Sequence, residues 1–269
     1  MTSGKVILIT GASSGLGKSC AMYLGQKGHT VYGTSRKTDV DTKFYKMIQM
    51  DVNDDASIAD GIRHIIAHEG RLDVVVNNAG IGIAGAVEDT DTDEIKSQFE
   101  TNFFGVFRVC HEVLPVMRKQ QSGYIVNIAS IAGSIGIPFQ GAYSASKAAV
   151  QCLTEVLRME VKPFGIHVVV IDPGDFKTEL TDNRIKTRDS QINPEYSQRF
   201  IKALQAMEKD ELNGCEPVKF AKLIDKIINH SSPSLRYTTG PLLERAAVHI
   251  RKFMPAPLFE WLIMNNYNV

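Results

Sequence analysis

Short runs of consecutive apolar residues recur along the chain, separated by segments whose apolar residues have helical spacing. A continuous apolar run is typical of a strand buried on both faces of a parallel sheet. Seven runs are predicted to be strands: residues 6–9, 30–34, 46–50, 73–77, 123–128, 165–171 and 235–239. Because strands and helices alternate at this spacing, the pattern predicts an α/β fold with a doubly wound parallel sheet and helices on both faces.

The longest helical stretch covers residues 93–120 and is predicted to be interrupted. Asn102 lies near its middle and Gly105 follows, and both are poor helix formers, so we expect a break or bend there. The acidic run at residues 88–94 lacks the turn glycine and the distal glutamate of a calcium loop. It is interpreted instead as the acidic start of this helix.

A glycine-rich turn follows the first apolar run and leads directly into a helical pattern. Residues 10–17 are Thr-Gly-Ala-Ser-Ser-Gly-Leu-Gly. A strand, a glycine-rich turn and a helix N-terminus together present backbone N–H groups and a positive dipole end to a pyrophosphate. The spacing is Gly-x-x-x-Gly-x-Gly rather than the more familiar Gly-x-Gly-x-x-Gly, but the flanking elements still favour a dinucleotide site.

The end of the second predicted strand indicates which dinucleotide is preferred. An acidic residue at this position would hold the adenosine ribose hydroxyls of NAD, and the sequence has Ser35 and Arg36 there instead. A hydroxyl and a guanidinium suit a 2′-phosphate. One charge-assisted contact corresponds to about ten- to a hundredfold in affinity, so NADP(H) is the expected cofactor.

Tyr143 and Lys147 are four residues apart near the start of a predicted long helix, so their side chains share one helix face. A free tyrosine has a pKa of about 10, and a cation within a few ångströms lowers that pKa by roughly 1–3 units. Such a tyrosine is suited to general acid–base catalysis. The pair alone also fits a surface helix without a function, so its interpretation depends on the rest of the chain.

Composition narrows the class of protein. A chain of 269 residues with 43% apolar residues is long enough for one large α/β domain or two small ones. Thirty basic residues balance thirty acidic ones, so no general nucleic-acid footprint is expected. The four cysteines are far apart, which is typical of reduced thiols in a cytosolic protein, and the seven histidines form no metal-binding pattern.

No targeting or membrane-spanning segment is predicted. The first ten residues lack the charged start and the cleavage site of a signal peptide. No apolar run reaches the ~18 residues that a transmembrane helix requires. We therefore expect a cytoplasmic protein.

The motifs occur in an order that resembles the short-chain dehydrogenase/reductase family. The match spans about residues 5–178, and it implies a single Rossmann-type oxidoreductase domain over residues 1–269. The residues that carry it are Thr10-Gly11-x-x-x-Gly15-x-Gly17, Asn77-Asn78-Ala79-Gly80, Ser130, Tyr143-x-x-x-Lys147 and Pro173-Gly174-x-x-x-Thr178.

The resemblance implies a role for each matched residue. Tyr143 would exchange a proton with the substrate oxygen while a hydride passes to or from the nicotinamide, and Lys147 would lower the tyrosine pKa and hold the nicotinamide ribose. Ser130 would hydrogen-bond the substrate oxygen, and Asn102 would hold a water that connects Lys147 to solvent. The implied cofactor-binding residues are Gly11, Ser13, Ser14, Gly15, Leu16 and Gly17 at the phosphates and nearby ribose, Ser35 and Arg36 at the 2′-phosphate, Asp51 and Val52 at the adenine, Asn78, Ala79 and Gly80 on the adenosine side, Tyr143 and Lys147 as above, and Pro173, Gly174 and Thr178 at the nicotinamide carboxamide.

The last third of the chain is expected to determine the substrate. Residues 176–216 are polar and mixed, and the family places a substrate-covering lid there. Residues 241–269 form a predicted helical tail with apolar positions at helical spacing. This extension resembles the hydroxysteroid and retinol dehydrogenase branch. The tail is interpreted as a helix packed on the core or at a subunit interface, with an apolar pocket wall or a peripheral membrane contact as the alternatives.

The expected function is NADP(H)-dependent interconversion of a secondary alcohol and a ketone on a small hydrophobic substrate, such as a steroid, a retinoid or a long-chain keto compound. Two alternatives stay open: a keto reductase acting on acyl or sphingoid chains, and a non-catalytic NADP(H)-binding regulatory protein. Family members are commonly dimers or tetramers, so a homodimer or homotetramer is expected. No metal is expected.

Overall fold

The apolar runs form a central seven-stranded sheet in the computed structural model, which describes residues 4–37 and 42–269. Residues 1–3, part of the segment predicted to lack a signal peptide, lie outside the described residues. The sheet order is β3-β2-β1-β4-β6-β7-β9, and every neighbouring pair is parallel. Its strands are β1 (Val6–Ile9), β2 (Thr30–Ser35), β3 (Lys46–Gln49), β4 (Val74–Asn77), β6 (Gly123–Ile128), β7 (Ile166–Pro173) and β9 (Arg236–Thr239), and a separate short pair consists of β5 (Ile83–Ala84) and β8 (Ile185–Lys186).

Helices cover both faces of this sheet. The helices are α1 (Gly15–Gln26), α2 (Asp55–Glu69), α3 (Thr92–Phe99), α4 (Gly105–Gln120), α5 (Gly141–Val161), α6 (Leu180–Asn183), α7 (Arg188–Ile192), α8 (Ser197–Leu212), α9 (Pro217–Ile228), α10 (Leu242–Ile250) and α11 (Ala256–Asn266). Alternate strand residues point to opposite faces, so Leu8 packs with α2, α4 and α5, whereas Ile7 and Ile9 pack with α1 and α9. The predicted single-domain, doubly wound α/β fold with C-terminal helices is confirmed.

The strand order places the candidate site. The chain runs from β1 outward to β2 and β3, and then crosses back to β4 on the other side of β1. Ligands of open parallel sheets bind outside the carboxyl ends of the strands at such a switch point. The glycine-rich turn after β1 and the residues that follow β4 therefore lie next to each other.

The predicted break in the long helix is confirmed and has a defined form. Residues Glu100–Phe104 form a π-helical turn between α3 and α4, and Asn102 is buried within it. One extra residue per turn rotates the side chains that follow, and such turns are frequent at functional sites. The acidic run before α3 acts as a cap, because Asp91 and Glu94 form a reciprocal capping box.

The region between β7 and α9 is more regular than its polar sequence predicts. It contains α6, α7 and the long helix α8, whose buried residues are Phe200, Ala203, Leu204, Met207 and Glu211. Phe200 packs against Phe139 at 5.4 Å between ring centres, in the segment that leads into α5. Among the described residues, no helix is both long enough and apolar enough to cross a membrane.

Candidate active site

Glycines shape the turn between β1 and α1. Gly11 has a φ of +66°, and a Cβ there would lie 2.9 Å from the Cα of Ala79. A Cβ on Gly17 would lie 2.3 Å from the carbonyl oxygen of Gly11. Gly15 begins α1 with a φ of +54°. The turn therefore needs glycine for both its backbone conformation and its close contacts.

The segment after β4 holds this turn in place. Thr10 Oγ1 accepts hydrogen bonds from the backbone N–H groups of Asn78 and Ala79, each at 2.9 Å. Asn78 Nδ2 donates to the carbonyl oxygens of Thr10 at 2.9 Å and Gly11 at 3.1 Å. Asn78 and Ala79 thus position the turn itself. Thr10 was not among the predicted site residues, although it begins the quoted motif.

The turn also has the donors that an anion requires. The backbone N–H of Gly15 donates to Glu179 Oε2 at 2.9 Å, so a carboxylate already binds at the N-terminus of α1. Ser14 is the N-cap of this helix, Ser13 is half-buried in the turn, and Leu16 packs partly on the core. A phosphate group makes the same kind of contact with helix N-terminal amides, so these residues fit a dinucleotide pyrophosphate.

Predicted adenosine-binding residues lie at the carboxyl ends of β2 and β3. Ser35 ends β2, and its Oγ accepts from the backbone N–H of Lys37 at 3.0 Å. Arg36 has an exposed side chain, and its carbonyl oxygen accepts from Gln49 Nε2 at 3.2 Å. Asp51 Oδ1 accepts from the backbone N–H of Asn53 at 3.0 Å. No acidic residue follows β2 before residue 38, where the described range is interrupted.

Val52 is buried in the core rather than open to the surface. It is 7% exposed, and a Cβ on Gly105 would lie 2.9 Å from its Cγ2. Its contact with the adenine stays a prediction.

The predicted catalytic residues come together at the carboxyl end of β6. Ser130 is buried there, hydrogen-bonds the Tyr143 hydroxyl, and lies with its Oγ 3.5 Å from the carbonyl oxygen of Pro173. Tyr143 and Lys147 lie in the first two turns of α5, with Lys147 Nζ 5.8 Å from the centre of the Tyr143 ring. Lys147 Nζ donates to the carbonyl oxygen of Ile128 at 2.9 Å.

Asn102 reaches the same place from the π-helical turn. Its Oδ1 accepts from the Ile81 backbone N–H at 2.8 Å, and its Nδ2 donates to the Ile81 carbonyl oxygen at 3.0 Å. A Cβ on Gly80 would lie 3.2 Å from Asn102 Oδ1 and 3.6 Å from Lys147 Nζ, so the three residues are close neighbours. Asn102 therefore fixes the backbone after β4. Its predicted water-holding role stays a prediction.

Burial, rather than the lysine charge, dominates the acidity of Tyr143. Burial raises the pKa of Tyr143, while the Ser130 hydrogen bond and the Arg184 charge partly lower that pKa. Burial also lowers the pKa of Lys147 to about 8, against the raising effect of Asp172. The prediction that Lys147 brings the tyrosine pKa below its ordinary value is therefore wrong for this structure. Tyr143 keeps its proton at neutral pH.

The turn after β7 lies beside Ser130. The Gly174 backbone N–H donates to the Thr239 carbonyl oxygen at 2.7 Å, which ties Pro173 and Gly174 to β9. Thr178 is four residues after Gly174 and lies next to the glycine-rich turn. A Cβ on Gly15 would be 3.4 Å from the Thr178 Cβ. The predicted nicotinamide-side residues thus lie along one path from Ser130 to the N-terminus of α1.

Gln151 and Asp172, which were not predicted from the sequence, support the predicted catalytic residues Ser130 and Lys147. Gln151 Nε2 donates to the carbonyl oxygen of Ser130 at 3.1 Å and to Asp172 Oδ1 at 2.8 Å. Burial raises the pKa of Asp172 to about 6. An acid directly before Pro173 at the end of a buried apolar run was a usable signal. The position of Gln151, by contrast, follows only from the packing of α5 against β7.

An open cleft of about 680 Å³ extends from the glycine-rich turn, between α1 and the segment that follows β7. Gly15, Thr178, Glu179, Thr181 and Glu211 are among the residues that line it. The cleft runs from the glycine-rich turn to the C-terminal end of α8, where Glu211 and Leu212 lie.

Comparisons with known proteins agree with this arrangement. The chain matches the short chain dehydrogenase family over residues 5–189. It is 43% identical over 265 residues to 3-ketodihydrosphingosine reductase of Bacteroides thetaiotaomicron, with 98% of each chain covered. A solved short-chain dehydrogenase from Streptomyces avermitilis is 34% identical with a TM-score of 0.84 and 98% of each chain covered.

A second solved structure, ElxO with NADP bound, is 29% identical with a TM-score of 0.70, covering 87% of this chain and 97% of ElxO. The family match covers more than half of the chain, and the curated relative is similar along almost its whole length. The chain therefore belongs to the short-chain dehydrogenase/reductase family of nicotinamide-dependent oxidoreductases.

Proposed function

We propose that this protein reduces the ketone of a long-chain, sphingoid-type keto compound with NADPH as the hydride donor. The observation that carries the proposal is the 43% identity to 3-ketodihydrosphingosine reductase over 98% of both chains. The same observation favours the sphingoid alternative over the steroid and retinoid substrates that the C-terminal extension suggested.

The chain's own residues supply the proton and the polarisation that ketone reduction requires. Bound NADPH supplies the hydride. The Tyr143 phenol, whose pKa is raised by burial, holds a proton at neutral pH and donates it to the oxygen of the reduced carbonyl. The buried Ser130 hydroxyl hydrogen-bonds both that oxygen and Tyr143. A tyrosine that keeps its proton supports the reducing direction.

Lys147 keeps a positive charge beside the tyrosine ring at neutral pH, because its pKa of about 8 lies above neutrality. Its ammonium is held by the Ile128 carbonyl oxygen at 2.9 Å, which fixes its direction. We assign Lys147 two roles. It binds the nicotinamide ribose, and it helps to return a proton to Tyr143 after each turnover.

Preference for NADPH rests on Ser35 and Arg36 at the end of β2. The Arg36 side chain is exposed and free to approach a 2′-phosphate. A guanidinium forms charge-assisted hydrogen bonds with the 2′-phosphate of NADPH. These are stronger than the hydrogen bonds it could form with the 2′-hydroxyl of NADH.

An apolar cluster beside α5 supports a lipid-like substrate. Phe200, Leu204 and Met207 of α8 pack in this cluster with Phe139, and Gln140 Nε2 contacts Met207 Sδ at 3.1 Å. Gln140 is the N-cap of the helix that carries Tyr143. Because Phe200, Leu204 and Met207 are themselves buried, an aliphatic chain that leaves the catalytic residues on this side would contact the partly buried Ile137 and Phe139 at the edge of the cluster.

The test is a steady-state NADPH oxidation assay with purified protein. The substrates are 3-ketodihydrosphingosine, a 3-ketoacyl thioester, a steroid ketone and a retinoid. The highest kcat/KM is expected for 3-ketodihydrosphingosine. A higher kcat/KM for any other substrate would contradict the proposal, and NADPH binding without turnover of any of them would indicate a non-catalytic binding protein.

A further inference from the structure

Four charged side chains from four places in the chain form what we call the head-group cluster: Asp175, Arg184, Glu211 and Glu244. Asp175 follows the Pro173–Gly174 turn, Arg184 follows α6, Glu211 lies near the end of α8, and Glu244 lies in the first turn of α10. Apart from the effect of Arg184 on the pKa of Tyr143, none of them carries a role in the mechanism above.

Asp175 and Glu244 form one half of the cluster. Glu244 Oε2 accepts from the Asp175 backbone N–H at 2.8 Å, and the two carboxyl side chains are also hydrogen-bonded to each other. A Cβ on Gly174 would lie only 1.9 Å from Glu244 Oε2. The absence of a side chain at Gly174 is therefore what lets the Glu244 carboxylate reach this turn.

Arg184 and Glu211 form the other half. They make an ion pair whose side chains are 4% and 10% exposed, and Glu211 also accepts from Thr181 Oγ1. Arg184 Nη2 binds Glu211, whereas the buried Arg184 Nη1 has no hydrogen-bond partner among the described residues. A guanidinium is planar and rigid, so its free Nη1 lies within about 2.5 Å of the bonded Nη2 and inside the same cluster.

The cluster is linked to Tyr143 by charge and to Ser130 through the turn after β7. The charges of Arg184, Glu211 and Asp175 all act on the Tyr143 hydroxyl. On the other side, Ser130 Oγ lies 3.5 Å from the carbonyl oxygen of Pro173, one residue before Gly174. The Pro173–Gly174 turn thus connects the cluster with Ser130, and the cluster charges influence the pKa of Tyr143.

The cluster has more carboxyl groups than cations, and one nitrogen of its guanidinium has no hydrogen-bond partner among the described residues. The three carboxyl groups of the cluster, with the charge of Asp210 nearby, outnumber its one guanidinium. Burial together with the negative charge of Glu244 raises the pKa of Asp175 to about 8. Buried carboxyl groups in excess lack a cation, and a buried guanidinium nitrogen without a partner lacks an oxygen acceptor. A ligand that completes the cluster therefore carries an ammonium group and a hydroxyl or carbonyl oxygen close together.

We propose that the head-group cluster binds the polar head of an amino-alcohol ketone, with the ammonium at Asp175 and Glu244 and the hydroxyl oxygen at Arg184 Nη1, while the ketone oxygen contacts Ser130 and Tyr143. This inference rests on the proposed reductase function and deepens it. A sphingoid 3-ketone is a 2-amino-1-hydroxy compound, so its three polar groups occupy adjacent carbons. The cluster selects for such a head group against plain long-chain ketones.

Substrate analogues test the proposal without altering the fold. The unmodified protein is assayed with 3-ketodihydrosphingosine and with two analogues of equal chain length that lack either the amine or the 1-hydroxyl. Loss of a charge-assisted hydrogen bond corresponds to about ten- to a hundredfold, so kcat/KM is expected to fall by that factor for the des-amino ketone. A smaller fall, of a few-fold to tenfold, is expected for the 1-deoxy ketone.

A protein variant supplies the second arm. In Glu244→Gln, the ratio of kcat/KM for the amino ketone to that for the des-amino ketone is expected to fall about tenfold or more. The control is Glu208→Gln, a lid carboxylate that pairs with Lys186 at 3.0 Å outside the cluster, and its ratio should equal that of the unmodified protein. Thermal unfolding of both variants shows whether each has folded.

The outcomes separate the two proposals. If all three ketones are reduced with similar kcat/KM, or if Glu244→Gln leaves the ratio unchanged, the head-group cluster does not recognise the amine and this inference is wrong. If none of the ketones is reduced, the proposed function itself is wrong.

Discussion

At the scale of single residues, the environment of Tyr143 favours the protonated phenol, which supports the direction of catalysis that we propose. Burial keeps the phenol protonated, and Ser130 and Arg184 moderate this effect without reversing it. A protonated tyrosine donates a proton to a forming alkoxide, whereas an ionised one would accept a proton from an alcohol. The raised pKa of Tyr143 is therefore consistent with the reducing direction that we propose.

Removal of the phenol hydroxyl tests this role. Tyr143→Phe deletes the proton donor, and turnover is expected to fall by about 100- to 10,000-fold, the usual contribution of general acid catalysis. NADPH affinity, measured by fluorescence titration, should stay nearly unchanged. Tyr124→Phe is the control, because its hydroxyl donates to the His230 carbonyl oxygen on the surface. Turnover by Tyr143→Phe close to the control would remove the tyrosine from its assigned role.

Asp172 tunes the ammonium of Lys147. Its negative charge raises the lysine pKa, and with a pKa of about 6 Asp172 carries that charge at neutral and alkaline pH. In Asp172→Asn the Lys147 pKa should therefore drop further below about 8. If activity needs the charged lysine, the alkaline limb of the kcat profile moves to lower pH.

The measurement is kcat as a function of pH with saturating NADPH. Asp225→Asn is the matched control, because Asp225 lies near His29, away from the site. An alkaline limb that stays in place, or that moves to higher pH, would show that Asp172 does not act on Lys147.

Arg36 is expected to determine cofactor preference. Arg36→Asp replaces the guanidinium with a carboxylate that repels a 2′-phosphate and accepts ribose hydroxyl groups. The ratio of kcat/KM for NADPH to that for NADH should fall at least ten- to a hundredfold, as expected for one charge-assisted contact. Arg63→Asp on α2, where the native side chain pairs with Asp60, controls for the change in net charge. A ratio that does not change would reject the 2′-phosphate assignment.

At the scale of secondary structure elements, the ends and interruptions of helices build the site. The π-helical turn at Glu100–Phe104 points Asn102 at the backbone of Ile81. The first two turns of α5 deliver Tyr143 and Lys147. The N-terminus of α1 presents Gly15, whose N–H group is bound by Glu179.

Glu179 is expected to compete with the cofactor for this helix N-terminus. Its carboxylate accepts from Gly15 at 2.9 Å, where a pyrophosphate would also place negative charge. In Glu179→Gln this negative charge disappears. A charge at a helix N-terminus is worth about 0.3–1 kcal/mol, so NADPH should bind about two- to fivefold more tightly.

Fluorescence titration with NADPH at low ionic strength measures this effect. Glu216→Gln is the control, since Glu216 pairs with Lys177 at 2.9 Å on the surface. Weaker or equal binding by Glu179→Gln would show that its carboxylate does not oppose the cofactor.

At the scale of the whole molecule, the C-terminal tail returns to the substrate side. Tyr267 and Val269 pack on the apolar cluster formed by Phe200, Met207 and neighbouring residues. Much of α11 before them is exposed, including Trp261 at 60%. The end of the tail therefore packs against the buried face of α8, while much of α11 stays exposed.

Truncation after Pro255 removes α11 together with Tyr267 and Val269. The apolar cluster should loosen, so kcat/KM is expected to fall more for long-chain ketones than for small ones. The measurement compares ketones of increasing chain length. Trp261→Ala serves as the control, because it changes only the exposed face of α11. An equal loss for short and long ketones would show that the tail does not favour the long chain.

Local patterns in the sequence determined the parallel sheet, the glycine-rich turn and the shared helix face of Tyr143 and Lys147. Each depends on residues only a few positions apart, where strand burial, backbone conformation and helix geometry act directly.

Only the tertiary structure decided the raised pKa of Tyr143, the support of Ser130 by Gln151, and the gathering of Asp175, Arg184, Glu211 and Glu244. Asp175 and Glu244 are 69 positions apart in the chain. No local spacing encodes such a contact, because it arises when the start of α10 meets the turn that follows β7 and burial excludes water from the charges between them.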